Sequence, residues 1–266
     1  MMEKKDYKVE KIKQWKCPEE TGIPLITMPN VPRPLHRLNP RNIMGASTWN
    51  HVRKRCYYNA NYKCEICGVD FADIKPRYAA HELYSYDYIE GTGKFERCIA
   101  ICAVCHNAIH SGRLITMYKN GNQLYPKQYV LKVVEHCFSL VSKYNMEHKN
   151  KKPLKVYATF LEYLKVPELH DEMVNLIDKY DIQFYSEPKH IAKWQDWKLI
   201  IGTKEHKTPY KDEGEWIAAM EEANKNNADS ENSYTARVFK YDGLDSVSLD
   251  DKKIERINKA EIPDDF

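Results

Sequence analysis

Residues 102–110 read CAVCHNAIH, a run that packs two cysteines and two histidines into nine positions. Two spacings overlap in it, C-x2-C and H-x3-H, and whether they serve one metal or two decides the fold around them. A second C-x2-C pair, Cys64 and Cys67, lies upstream in YKCEICG, with 34 residues between the two knuckles. Four thiolates around one tetrahedral ion, at Zn–S distances near ~2.3 Å, make a closed structural zinc site. With Cys64, Cys67, Cys102 and Cys105 taken up by that ion, His106 and His110 are left over. At i and i+4 of a helix starting near Cys105 they point the same way and can share a second, open metal. The sequence therefore predicts two metals.

Between the knuckles, AAHELYSY and FERCIAI alternate as two strands, joined around Gly91-Thr92-Gly93. Upstream, a helix is expected from Ser47 as N-cap through TWNHVRKRCYYNA, with Trp49, Val52, Cys56 and Tyr57 on its inner stripe and Arg53, Lys54 and Arg55 outward. Residues 1–47 carry Pro18, Pro24, Pro29, Pro32, Pro34 and Pro40, which forbid a long helix, so they read as a Pro-rich arm of short extended pieces.

Beyond Gly112, RLITMYKNGNQL reads as a small hairpin turning at Asn120-Gly121. PKQYVLKVVEHCFSLVSKY is an amphipathic helix started by Pro126, with Tyr129, Val133, Cys137, Leu140 and Tyr144 on one face. Helical patterns follow in LKVYATFLEYLK and ELHDEMVNLIDKY, then a strand in WKLIIG and a helix in DEGEWIAAMEEAN opened by Asp212 and Glu215 at capping-box spacing. The organisation expected is a basic arm over 1–47, a zinc-supported domain over 48–122, a mostly helical region over 123–225 and a polar acidic tail over 226–266.

Charge divides along the same lines. Residues 1–63 hold 13 Lys+Arg against 5 Asp+Glu, while residues 151–266 hold 18 against 24. A basic third beside a metal-ligand cluster suggests a polyanionic partner, and the acidic C-terminal region suggests a protein partner. No apolar run approaches the ~20 residues that span a bilayer, and MMEKKDYKVE has no apolar segment of the secretory kind. A cytoplasmic protein is expected, in which clustered cysteines serve as metal ligands and Cys17, Cys56, Cys98 and Cys137 remain free thiols. His36, His51, His136, His148, His170, His190 and His206 have no ligand partner at useful spacing and read as ordinary surface or core histidines.

CEIC, HELY and IAICAVCHNAIHSGR, over about residues 41–115, resemble the HNH endonuclease family, in the branch whose hairpin is bracketed by cysteine pairs. The resemblance implies an α+β chain built on a ββα-metal core, with a structural zinc, a catalytic divalent metal and a nucleic-acid substrate, DNA expected. It implies that His81 is the general base and that His106 and His110 bind the catalytic metal. Two residues depart from the family pattern. Ala80 stands where an Asp or His ligand is common, and Arg97 stands where an Asn or His orients the base.

Side chains at 80 and 82 share a strand face, so Glu82 is the expected replacement ligand. The reverse assignment, His81 as ligand and Glu82 as base, stays open. A set of two histidines and one glutamate suits Mn²⁺, Ni²⁺ or Zn²⁺ better than Mg²⁺. An arginine cannot accept the imidazole N–H, so either a backbone carbonyl or Asp87 orients His81 or the site has decayed, and Arg97 either clamps a phosphate or lies outward in a salt bridge. Arg53, Lys54, Arg55, Arg97 and Arg113 are the candidate nucleic-acid contacts. The competing reading is a non-catalytic zinc-finger-like module with a degenerate site.

Overall fold

The computed structural model describes residues 7–74, 78–188 and 191–228. Among them the elements in chain order are β1 (Val9–Lys11), β2 (Gln14–Trp15), α1 (Pro40–Met44), α2 (Ala46–Asn59), β3 (Tyr78–Asp87), β4 (Thr92–Cys102), α3 (Ala103–Ile109), α4 (Ser111–Lys119), α5 (Lys127–Glu147), β5 (Val156–Tyr157), α6 (His170–Lys179), β6 (Phe184–Ser186), β7 (Lys198–Ile201), β8 (Lys204–Lys207) and α7 (Glu213–Ala228). No described helix is long and apolar enough to cross a membrane. The architecture is mixed α and β, with a five-stranded sheet ordered β2-β3-β4-β7-β8 and a three-stranded sheet ordered β1-β6-β5.

The hairpin β3–β4 organises the rest. Its turn closes because the Asp87 carboxylate accepts from the backbone N–H groups of Ile89 (2.9 Å) and Glu90 (3.0 Å). Gly91 follows at φ 68°, with a Cβ there meeting Ala192 at 2.9 Å, so conformation and space both demand glycine. Pairing runs from Tyr78–Cys102 to Asp87–Thr92, with one irregularity where Leu83 faces Arg97 and Tyr84 faces Phe95, leaving Glu96 as the extra residue.

Strand alternation then sorts the two faces. Leu83 and Ile99 project with His81 to one face, and the even-numbered β3 residues project to the other. On that second face Tyr57 of α2 meets Tyr78 edge-on at 4.9 Å, and farther along Tyr84, Tyr86 and Tyr88 form a buried row with Leu35 and Trp197. The larger core joins Leu83, Ile99 and Ile101 to Ala108, Leu114, Val133, Phe138 and Val141 of the helices. Each such side chain contributes about 1.5–3 kcal/mol by leaving water.

Residues 7–47, expected as an arm rather than a core, are built into the fold. β1 pairs in parallel with β6 and β2 pairs with β3, and the 3-10 turn Ile23–Thr27 buries Leu25, Ile26 and Thr27. Proline prevented a long helix there, yet the apolar residues between the prolines were numerous enough to fill core positions. By its contacts the described chain groups as one unit up to Trp216, with Ile217 and the rest of α7 falling in a second. The tail from residue 229, like His190, lies outside the described residues.

Three local expectations change. The predicted hairpin after Gly112 is helix α4, and Asn120-Gly121 ends it. Gly121, at φ 70°, and Asn122 donate to the carbonyls of Tyr118 (2.9 Å) and Met117 (3.1 Å), a Schellman closure. The α2 cap is Gly45, with Ser47 inside the first turn. The buried face of α5 is Val130, Val133, Val134, Cys137, Phe138 and Val141, rotated from the predicted stripe, with Tyr129 and Tyr144 at its margin.

Candidate metal centre

The first knuckle is shaped by its backbone. Cys64 N–H donates to Val69 O at 2.9 Å, Gly68 N–H returns to Cys64 O at 2.8 Å, and Gly68 takes φ 76° to allow it. Glu65 ties the knuckle to β4: its N–H donates to Ala100 O (2.9 Å), and its carboxylate accepts from Ala100 N–H (2.6 Å). The second knuckle begins at the end of β4. Cys102 is the N-cap of α3, its sulfur accepting from Cys105 N–H at 3.5 Å.

These elements bring the Sγ atoms of Cys64, Cys67, Cys102 and Cys105 within 4.8 Å of one another. Sulfurs bound to one tetrahedral zinc lie about 3.8 Å apart, and Cys67 and Cys102 stand at 3.9 Å. Hydrogen bonds shared among the four thiols pull Cys64 and Cys67 below the usual thiol range and push Cys102 and Cys105 above it, so the case for an ion rests on the spacing of the sulfurs. The four cysteines can hold a structural zinc. Cys17, Cys56, Cys98 and Cys137 are free, as expected.

One helical turn onward, His106 and His110 of the α3–α4 junction meet His81 of β3. Their ring centroids lie 5.3 Å (His81–His106), 4.9 Å (His81–His110) and 4.7 Å (His106–His110) apart. The three rings can place one nitrogen each within 4.8 Å of the others. His81 is 3% exposed and neither of its ring nitrogens has a hydrogen-bond partner. Burial, reinforced by the neighbouring charges, lowers the pKa of all three: His81 and His106 fall well below the usual imidazole value, and His110 to about 4. All three are therefore neutral near pH 7, with lone pairs free for a metal. A buried imidazole without a partner is costly, and an ion shared by the three rings would remove that cost.

Glu82 does not join them. It follows His81 on a regular strand, so its carboxylate leaves on the opposite face, opposite Cys98. Burial raises its pKa, partly offset by its own backbone N–H and by Arg41. The expectation that Glu82 completes the ligand set fails on this alternation: sharing a face with Ala80 means sharing the wrong face. His81, and not Glu82, is the third member of the group that could hold an ion.

The proposed orienters of His81 are occupied elsewhere or absent. Asp87 caps the hairpin turn and accepts from Gln14 Nε2 at 2.5 Å, and no carbonyl reaches the His81 ring. Arg97 lines an open cavity with Lys16, Cys17, Glu19, Ser85, Lys94 and Glu96. Its Nη1 donates to Pro18 O at 3.1 Å, which ties the N-terminal segment to β4.

Among the remaining basic candidates, Arg53 donates to Asn50 Oδ1 at 2.9 Å and, with Lys54 and Arg55, sits on α2, the helix packed on the face away from His81. Arg113 is different. Its charge acts on both His106 and His110, and its guanidinium lies 5.9 Å from the Tyr125 ring centroid.

The site is locked from α5. Asn107 Nδ2 donates to Tyr129 Oη at 2.8 Å, and His136 Nε2 lies 3.3 Å from Cys105 Sγ. In the sequence His136 reads as an ordinary histidine, because its contact spans 31 residues and no spacing rule reaches that far. His36, His148 and His170 do contact backbone carbonyls, of Val31, Tyr144 and Leu164. No protein-family model, curated protein or solved structure matches this chain.

Proposed function

We propose that this chain is a metal-dependent phosphodiesterase of the HNH type, acting on nucleic acid with DNA as the expected substrate. The observation that carries the reading is the meeting of His81, His106 and His110 on a strand–strand–helix unit whose ends are gathered by four cysteines. His81, His106 and His110 hold the ion as neutral ligands, and Arg113 adds a fixed positive charge beside them. Three neutral imidazoles leave the charge of a divalent ion uncompensated, which favours an anionic substrate such as a phosphodiester. When bound, the ion supplies Lewis acidity and an acidified water, so the chain need not provide a separate base. Imidazole ligands without a carboxylate favour Zn²⁺, Ni²⁺ or Mn²⁺ over Mg²⁺.

A second reading is a zinc-supported nucleic-acid-binding module in which the histidines hold a non-hydrolytic ion. The position of Glu82 favours it, since among the described residues no carboxylate joins the three rings. A protein partner for the acidic C-terminal region remains part of the proposal. Supercoiled plasmid separates the two readings. The enzyme loses nicking activity in EDTA while the four-cysteine zinc stays bound, and regains it on adding Mn²⁺, Ni²⁺ or Zn²⁺. Nicking that survives removal of every exchangeable metal excludes the hydrolytic-metal mechanism.

A further inference from the structure

We infer that His136 is a positioning residue of the four-cysteine site, donating Nε2–H to the sulfur of Cys105 from a helix the motif does not contain. The contact is 3.3 Å. His136 is not a competing ligand, because the mutually close ligand atoms are the four sulfurs without it. Once a metal holds the sulfurs as thiolates they have no proton to give, so the hydrogen lies on Nε2. Four thiolates around a divalent ion carry a net charge of about −2. Cys64, Cys102 and Cys105 belong to the same buried apolar cluster as Ile66 and Ala108, where an N–H donor offsets the unfavourable burial of that charge. The ring is held at the sulfur because Val133, Val134 and Cys137 of the same helix are fully buried. Donors of this kind fix ligand orientation and typically change metal affinity about 10- to 100-fold.

The inference rests on the four-cysteine zinc and not on the nuclease reading. The test uses the full chain loaded with zinc, and separately with Co²⁺. His136→Gln keeps an N–H donor, His136→Phe keeps a flat ring without one, and Val133→Ala loosens the same helix without touching the sulfurs. Zinc release to a colorimetric chelator is expected to be about 10-fold or more faster in His136→Phe, with a shifted thiolate-to-cobalt absorption band. His136→Gln and Val133→Ala are expected to stay near the wild type in both readouts. Equal release rates and spectra for His136→Phe and wild type overturn the inference, as does equal acceleration by Val133→Ala. If His136→Phe does not fold, the wild type decides alone. Loaded with a spin-active cadmium isotope, it should show coupling between the metal and the His136 Nε2 proton, and absence of that coupling overturns the inference. Absence of zinc from the purified wild type would instead remove the four-cysteine reading itself.

Discussion

In the proposed mechanism the chemistry turns on His81, whose two ring nitrogens are unpartnered among the described residues. A metal ligand turns one lone pair to its ion and, like a general base, ordinarily donates its other ring N–H to an acceptor; among the described residues nothing fills that second role for His81. The pH dependence follows from the same burial. In the unfolded chain His110 takes a proton near ~6.5, but in the fold only near 4, because burial and then Arg113 oppose its charge. The stability it contributes is therefore complete above about pH 6.5 and lost as pH falls toward 4. Denaturant titrations between pH 7 and pH 4.5, on protein carrying only its four-cysteine zinc, should show this decline. The decline should be shallower in His110→Gln, whose cysteines titrate as before. Identical slopes would contradict it.

At the scale of elements, α3 links the two sites, since Cys102 and Cys105 belong to one and His106 and His110 to the other. Cys67→Ser should leave the protein without tightly held zinc and unfold the hairpin region, because metal binding and folding are coupled in such sites. Elemental analysis together with circular dichroism checks this, and a folded, zinc-loaded variant would contradict it. Helix α5 clamps α3 from outside. Phe138, fully buried on α5, should cost about 3–5 kcal/mol when changed to Ala. A loss under about 1 kcal/mol in chemical denaturation would mean that α5 does not belong to this core.

The same elements show what the sequence disclosed. The cysteine pairs, the hairpin and the histidine pair at i and i+4 were legible because each is a local spacing. Strand parity was also legible, and read through from His81 it already excluded Glu82 from the histidines' face. The helix α4 was missed because Asn-Gly serves a Schellman closure as well as a hairpin turn, and only the hydrogen bonds distinguish them. His136 and the burial of Leu25 and Ile26 were not legible, since both depend on contacts far apart in sequence.

Across the whole molecule, the basic N-terminal charge is spread over a segment built into the sheets. Net charge therefore says less about where the proposed nucleic-acid substrate would lie than the position of each cation does. Arg113 stands by the histidines, while Arg53, Lys54 and Arg55 ride on α2 behind the hairpin. Arg113→Ala should flatten the dependence of log K on log salt by about 0.9, the counterion release of one duplex phosphate contact. Joint substitution of Arg53, Lys54 and Arg55 by Ala should leave that slope near the wild-type value. The opposite outcome in a fluorescence-anisotropy salt titration would place the nucleic acid on the α2 face.

The central claim is that His81, His106 and His110 act together as the ligands of a hydrolytic metal. The measurement is plasmid cleavage rate across a metal titration for the wild type and for His81→Ala, His106→Ala, His110→Ala and Glu82→Ala. The account predicts that the three histidine variants all require more metal and are partly rescued by it, while Glu82→Ala titrates as the wild type does. A wild type that binds DNA without cutting it under Zn²⁺, Ni²⁺, Mn²⁺ or Mg²⁺, or a His81→Ala defect that no metal concentration relieves, would contradict it.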